Sequence, residues 1–250
     1  MDRTWIAVAA ACTVLAASAS PSRSGVIDQG SFKIYSNDRA LGAETFELSD
    51  GQDSLVVRAR QYLVLPTSRG DEPMEKGVDV LVSRADFGLR QYQANRTFRG
   101  ATTRRAVVVA DTHYVAYREG TGLGEGDSFV MPPGHVYIMD SQVITLFDLI
   151  CRGLYGKEFE TRPFNLLALG PRDTMLDARA VSLGNETIRW GGRPLVARKY
   201  HIVADNQTTF TVWVGPQGQL VRLVEPVGGL RAEREPPPIK RPSPPPRPGG

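Results

Sequence analysis

The stretch SFKIYSNDRALGAETFEL, residues 31–48, decides the architecture. Phe32 and Ile34 alternate with Lys33 and Tyr35. After the polar turn Asn37-Asp38-Arg39 and Gly42, Phe46 and Leu48 alternate with Thr45 and Glu47. Two runs of period two around a polar turn form a half-buried β-hairpin. What such a sheet covers is the functional question: an ordinary core, a ligand or a catalytic site.

Outward from this hairpin the pattern repeats. Strand patterns follow at 54–65, 77–85, 88–98, 102–110 and 112–119, with turn chemistry at Ser49-Asp50-Gly51, from Thr67 to Gly77 and at Gly100. The adjacent Val107, Val108 and Val109 predict a strand buried on both faces. GTGLGEGD, residues 120–127, lacks both the G-x-G-x-x-G spacing and a P-loop lysine, and reads as a mobile loop.

MDSQVITLFDLICRG, residues 139–153, is the one helical pattern. Val143, Leu146, Phe147 and Ile150 fall at helical spacing, Asp140 or Ser141 suits the N-cap, and Asp148 marks an outer edge. Strand patterns resume at 157–169, 173–183, 187–190, 195–204, 208–214 and 219–225. The expectation is a mainly β protein. Residues 31–228 form one strongly curved, unclosed antiparallel sheet, a half-barrel, with the helix over 140–153 plugging its concave face. A long sheet must curl, and a curled sheet must fill its hollow.

The ends differ from the body. Arg3, the apolar run Trp5 to Ala17 and Ala17-Ser18-Ala19 read as a signal peptide over 1–19, followed by a linker over 20–30. That implies an exported protein, periplasmic or extracellular. Its removal takes Cys12 and leaves Cys151 in an apolar run, where a buried, inert thiol is expected. Residues 229–250 read as a disordered, Pro-rich basic tail, suited to weak contact with an anionic envelope surface. From 231 onward, five cations face two carboxylates, 5 − 2 = +3, which equals the net charge of the chain. The body is therefore neutral and carries no nucleic-acid footprint.

The residues FKIYSNDRALGAETFEL and VYIMDSQVITLFDLICR resemble a family of uncharacterised secreted bacterial proteins. Those look in architecture like the periplasmic lipoprotein carriers of the Lol pathway. The resemblance spans about residues 30–226 and implies a curved open sheet with a helix in its mouth. It implies structural roles for Gly42 as the turn glycine and Asp140 as the aspartate at the helix start.

Candidate chemistry is sparse. Asp111 and His113 share a strand face, and with His135 and His201 they form the candidate set for a metal-dependent hydrolase. No G-x-S-x-G elbow is present. The carboxylate pair Glu44 and Glu47 reads as a solvated strand edge. Tyr92, Tyr117, Tyr200 and Trp213 alternate with polar residues, as a concave lining or an ordinary packed sheet face would. The candidate ligand contacts are Tyr92, Tyr117, Leu146, Phe147, Ile150 and Trp213. The leading expectation is thus a non-enzymatic envelope protein that needs no cofactor and binds an apolar or lipid-like ligand in the concavity. The rival is a structural or assembly factor with a packed core.

Overall fold

The computed structural model describes residues 25–237, apart from 52, 121–123, 141–142 and 206–207. The signal-peptide reading and the last thirteen residues of the tail lie outside the described residues. The first half runs β1 (Val26–Ser36), β2 (Arg39–Asp50), β3 (Ser54–Thr67), β4 (Gly70–Ser83), β5 (Leu89–Phe98), β6 (Ala101–Ala110), β7 (His113–Glu119), β8 (Glu125–Val130) and β9 (Val136–Asp140). Then come α1 (Ile144–Leu154), β10 (Thr161–Leu169), β11 (Thr174–Trp190), β12 (Arg193–Ala204), β13 (Thr208–Val214), β14 (Leu220–Glu225) and β15 (Leu230–Arg234).

All strands join one sheet in the order β8-β7-β6-β5-β4-β3-β2-β1-β15-β14-β13-β12-β11-β10-β9. Apart from β8 and β9, which form the two edges, strands consecutive in sequence are neighbours in space, and β1 pairs with β15. The sheet curls until its two ends approach. Tyr92 on β5 donates to Asp140 on β9, and Lys76 on β4 reaches Asp140 at 2.6 Å. The ends do not pair, so the half-barrel stays open.

Two features depart from the expected antiparallel sheet. β9 and β10 run parallel, and parallel neighbours need a crossover. The helix is that crossover, which explains why, among the described residues, a single helix interrupts an otherwise meandering chain. The second departure is β15. Residues 230–234, read as disordered tail, form a strand between β1 and β14, with Ala232 fully buried. Likewise 26–30, read as linker, begin β1, and 125–127, read as the end of a loop, begin the edge strand β8. β4 begins at Gly70 rather than 77, and β11 runs unbroken through 174–190.

Local chemistry follows the side-chain period. β3 buries Leu55, Val57, Ala59, Gln61 and Leu63 in alternation. The valine run resolves the same way: Val107 is buried, while Val108 and Val109 are each 41 % exposed. The β1–β2 turn is Asn37-Asp38, both at positive φ, as a tight hairpin requires. Gly42 is therefore not the turn glycine. It sits in β2 where the register slips opposite Ile34 and Tyr35, and a Cβ there would meet the Tyr62 carbonyl oxygen at 2.1 Å. Only glycine tolerates that approach.

The helix starts at Ile144, later than expected, and Asp140 ends β9 instead of capping it. Val143 holds the N-cap position without a side-chain hydrogen bond. Glu44 on β2 takes over that task, accepting the Ile144 and Thr145 N–H groups at 3.0 and 2.6 Å. The helix is covered nearly all round: Leu146, Phe147, Ile150 and Cys151 lie in one core with Phe32, Val80 and Phe210. Phe147 packs on Phe210 with centroids 4.7 Å apart. The gap beside Leu146 and Leu149 has no room for a water molecule.

Candidate functional site

The inner face of the sheet changes character from one end of the barrel to the other. Around the helix it is apolar. Towards the start of β4 and the end of β7, each of β4 to β7 places a cation on its inward face. β4 presents Met74, Lys76, Val78 and Val80; β5 presents Tyr92, Ala94 and Arg96; β6 presents Arg105 and Val107; β7 presents Tyr114, Ala116 and Arg118. The registers align these positions. Glu44, Gln61, Lys76, Arg96 and Thr103 stand side by side across β2 to β6. One step along, Ala94, Arg105, Arg118 and Glu125 stand side by side across β5 to β8.

These rows line a cleft of about 1100 Å³ between β3–β8 and the β9–β10 end of the sheet. Leu65, Met74, Ala94 and Leu169 give it apolar walls. Lys76, Arg96, Arg104, Arg105 and Arg118 line it against Glu119, Glu125 and Asp140, 5 − 3 = +2. Lys76 is almost wholly buried. Burial lowers its pKa, Asp140 opposes this, and Arg105 and Arg96 add to the lowering. Burial, and then Asp140, push the Tyr92 phenol well above its ordinary value. Asp140 therefore serves the floor of the cleft, where it ties β9 to β4 and β5.

Glu44 sits behind this floor with no exposed surface, the opposite of a solvated edge. Besides the two helix N–H groups it accepts from the Thr145 hydroxyl and from Gln61 Nε2 at 3.1 Å. Burial pushes its carboxyl from 4.5 up to about 7, while the Thr145 hydroxyl, the two N–H groups and Lys76 pull it down. Between those two values the folded chain holds a proton that the unfolded chain has lost. Stability from this group is therefore greatest below pH 4.5 and falls as pH rises to about 7, by about 3 kcal/mol. Glu44→Gln is expected to remove that slope. Denaturant unfolding of both proteins at pH 5 and 7.5 tests it, and equal slopes would contradict the assignment.

The expected ligand contacts do not share a surface. Leu146, Phe147 and Ile150 are packed core, because the helix fills the hollow it was expected only to plug. Tyr92 is fully buried against Asp140, while Tyr117 is 43 % exposed. Tyr200 is buried and stacks on Phe159. Trp213 lies on the outer face with Ile188, Ala197 and Val221, between Lys199 and Arg222.

The metal set is not assembled. His113 meets the Thr112 hydroxyl, His135 pairs with Asp86 at 2.9 Å, His201 lies on β12, and Asp111 is a turn residue at positive φ. Among the described residues no group of three His, Cys, Asp or Glu side chains could hold a metal ion.

Lys76, Arg96, Arg105 and Arg118, with Glu44 behind them, were missed by sequence reasoning. A signal for them exists. In consecutive strands the apolar alternation runs into a cation at the next inward position, as in Tyr92-x-Ala94-x-Arg96 and Tyr114-x-Ala116-x-Arg118.

Fold and cleft together define an open, barrel-like β protein. A solved structure with the same architecture is the β-barrel-like protein of domain of unknown function DUF1849 from Brucella abortus. It is 8 % identical, aligns with a TM-score of 0.52 and covers 84 % of this chain and 97 % of its own. A DUF1089 family protein from Pseudomonas aeruginosa aligns at 12 % identity and a TM-score of 0.46, over 71 % of this chain and 87 % of its own. No family model matches the sequence, and no curated protein matches it either. Identity at the level of the Brucella protein carries the fold and nothing further.

Proposed function

We propose that the chain is a non-enzymatic, exported envelope protein that holds a lipid-like molecule in the cleft at the open side of its sheet. The observation that carries this reading is the cleft itself, about 1100 Å³, in which apolar Leu65, Met74, Ala94 and Leu169 stand among charged side chains. Small-molecule sites are concave and combine apolar surface with placed polar groups. The ligand is displaced from the place the sequence suggested, because the hollow around the helix is full. Export rests on the N-terminal pattern and on the resemblance to secreted proteins. Residues 238–250, with Lys240, Arg241 and Arg247, add weak, salt-sensitive attraction to anionic surfaces.

The test uses a fluorescent acyl-chain probe on the mature chain. Thr103 is exposed and lines the cleft. Thr103→Trp is expected to weaken probe binding severalfold at unchanged melting temperature. Equal binding by both proteins, or none by the wild type, would defeat the reading. A structural or assembly role gains from the packed core, but such a role gives no reason for cations turned towards a cleft.

A further inference from the structure

Lys76 stands directly across from Arg96, and Arg105 directly across from Arg118. Like charges opposite one another on one face of a sheet repel. Here two such pairs sit in adjacent rows of the same cleft. A chain that needed only a packed barrel would gain from replacing them.

Their partners leave donors unused. Lys76 has Asp140 at 2.6 Å. Arg105 donates to the Gly170 carbonyl at 2.8 Å and lies 3.5 Å from Asp173. Arg118 donates to the Pro171 carbonyl and lies 3.3 and 3.5 Å from Glu125 and Asp127. Its Nε is buried with no hydrogen-bond partner. Arg96 touches the Met74 sulfur at 3.2 Å and lies 5.1 Å from the Phe98 ring centre. Among the described residues it has no carboxylate partner. Two backbone carbonyls at the β10 side of the cleft thus hold two guanidinium groups in place, and a third guanidinium carries no ion pair. Donors fixed before a ligand arrives are what a tetrahedral oxyanion requires, and guanidinium forks match phosphate oxygens two at a time.

We infer that Lys76, Arg96, Arg105 and Arg118 form a subsite for a phosphate group. A flat carboxylate offers two oxygens in one plane. A phosphate ester offers oxygens in several directions and can meet donors from β4, β5, β6 and β7 together. The apolar residues Leu65, Met74 and Leu169 then lie where the rest of a phosphate-bearing amphiphile would run. The lipid source of the phosphate rests on the proposed function; the subsite does not.

Calorimetric titration of the mature chain at low salt tests the subsite, with inorganic phosphate and glycerol 3-phosphate as soluble probes. Phosphatidylcholine vesicles with and without phosphatidate form the second arm. Arg96→Gln alters an exposed side chain without an ion pair, and about tenfold weaker binding is expected from loss of a charged hydrogen bond. Arg58→Gln, on the outer face between Glu47 and Asp79, is the control and should bind as wild type. If soluble phosphate and phosphatidate both bind and Arg96→Gln weakens both, the subsite takes a lipid phosphate. If only the soluble probes bind and weaken, the subsite stands with a soluble phosphate ester, and the lipid reading fails. If no phosphate binds, or Arg96→Gln binds like the Arg58 control, the subsite is overturned whatever the acyl probe does.

Discussion

A chain ending at Gly229 should fail to fold, whereas one ending at Pro237 should melt as the intact protein does. Residues 230–234 join the two halves of the sheet. β15 hydrogen-bonds to β1 on one side and to β14 on the other, pairing Ile34 and Leu223 with the buried Ala232. Without it the sheet falls into two halves, β8 to β1 and β14 to β9, each with a new open edge. The loss also removes Arg234, whose side chain is 7 % exposed and pairs with Asp28 at 2.6 Å. The Trp190 indole N–H would lose the Arg234 carbonyl, 2.7 Å away. Breaking a buried pair alone costs about 3–5 kcal/mol, and a whole domain is stable by only about 5–15 kcal/mol. Circular dichroism melting of the two truncations decides the point. A cooperative transition near the wild-type temperature in the shorter chain would refute this role of β15.

The second large effect is expected at Asp148, which the helical pattern placed on an outer edge. Its side chain is 2 % exposed. It accepts the Leu220 N–H at 2.6 Å and Arg152 Nε at 2.7 Å, with Arg234 at 3.8 Å. Arg152 and Arg234 both reach on to Asp28. Two carboxylates and two guanidiniums thus join α1, β1, β14 and β15 at the end of the barrel away from the cleft. Asp148→Ala leaves two buried cations sharing one carboxylate and one buried N–H without an acceptor. A loss of about 3–5 kcal/mol follows, or a melting temperature lower by ~10 °C at this chain length. Asp148→Ala with Arg152→Ala should cost less than the sum of the single changes, because the two residues act as a unit. Urea unfolding measures both. A single-mutant loss below about 1 kcal/mol would show that the network is solvent-screened rather than buried.

The period-two alternation made most of the sheet legible, and the helical spacing of Val143, Leu146, Phe147 and Ile150 made the helix legible. What escaped shares one cause. Charged residues were assigned to solvent, whereas Glu44, Lys76, Asp148 and Arg234 face inward. Each is held by partners distant in sequence: Glu44 by the amides of Ile144 and Thr145, about a hundred positions on, and Arg234 by Asp28 at the opposite end of the chain. β15 was lost for the same reason, since LRAER beside a run of prolines carries three charges in five residues. β8 was lost because its glycine and acidic residues suit a loop, and an edge strand needs only one partner. The histidines misled in the other direction, since two of them on strand faces said nothing of which strands meet.

The central claim is that the open side of the barrel is a binding cleft and not a flaw in a closed sheet. Native mass spectrometry of the protein isolated gently from its own cells tests that most directly. The expected result is a bound adduct of lipid mass that releases a phosphate-bearing fragment on dissociation and is depleted in Thr103→Trp and Arg96→Gln. A folded protein at its bare polypeptide mass, or an adduct retained equally by both variants, would contradict it.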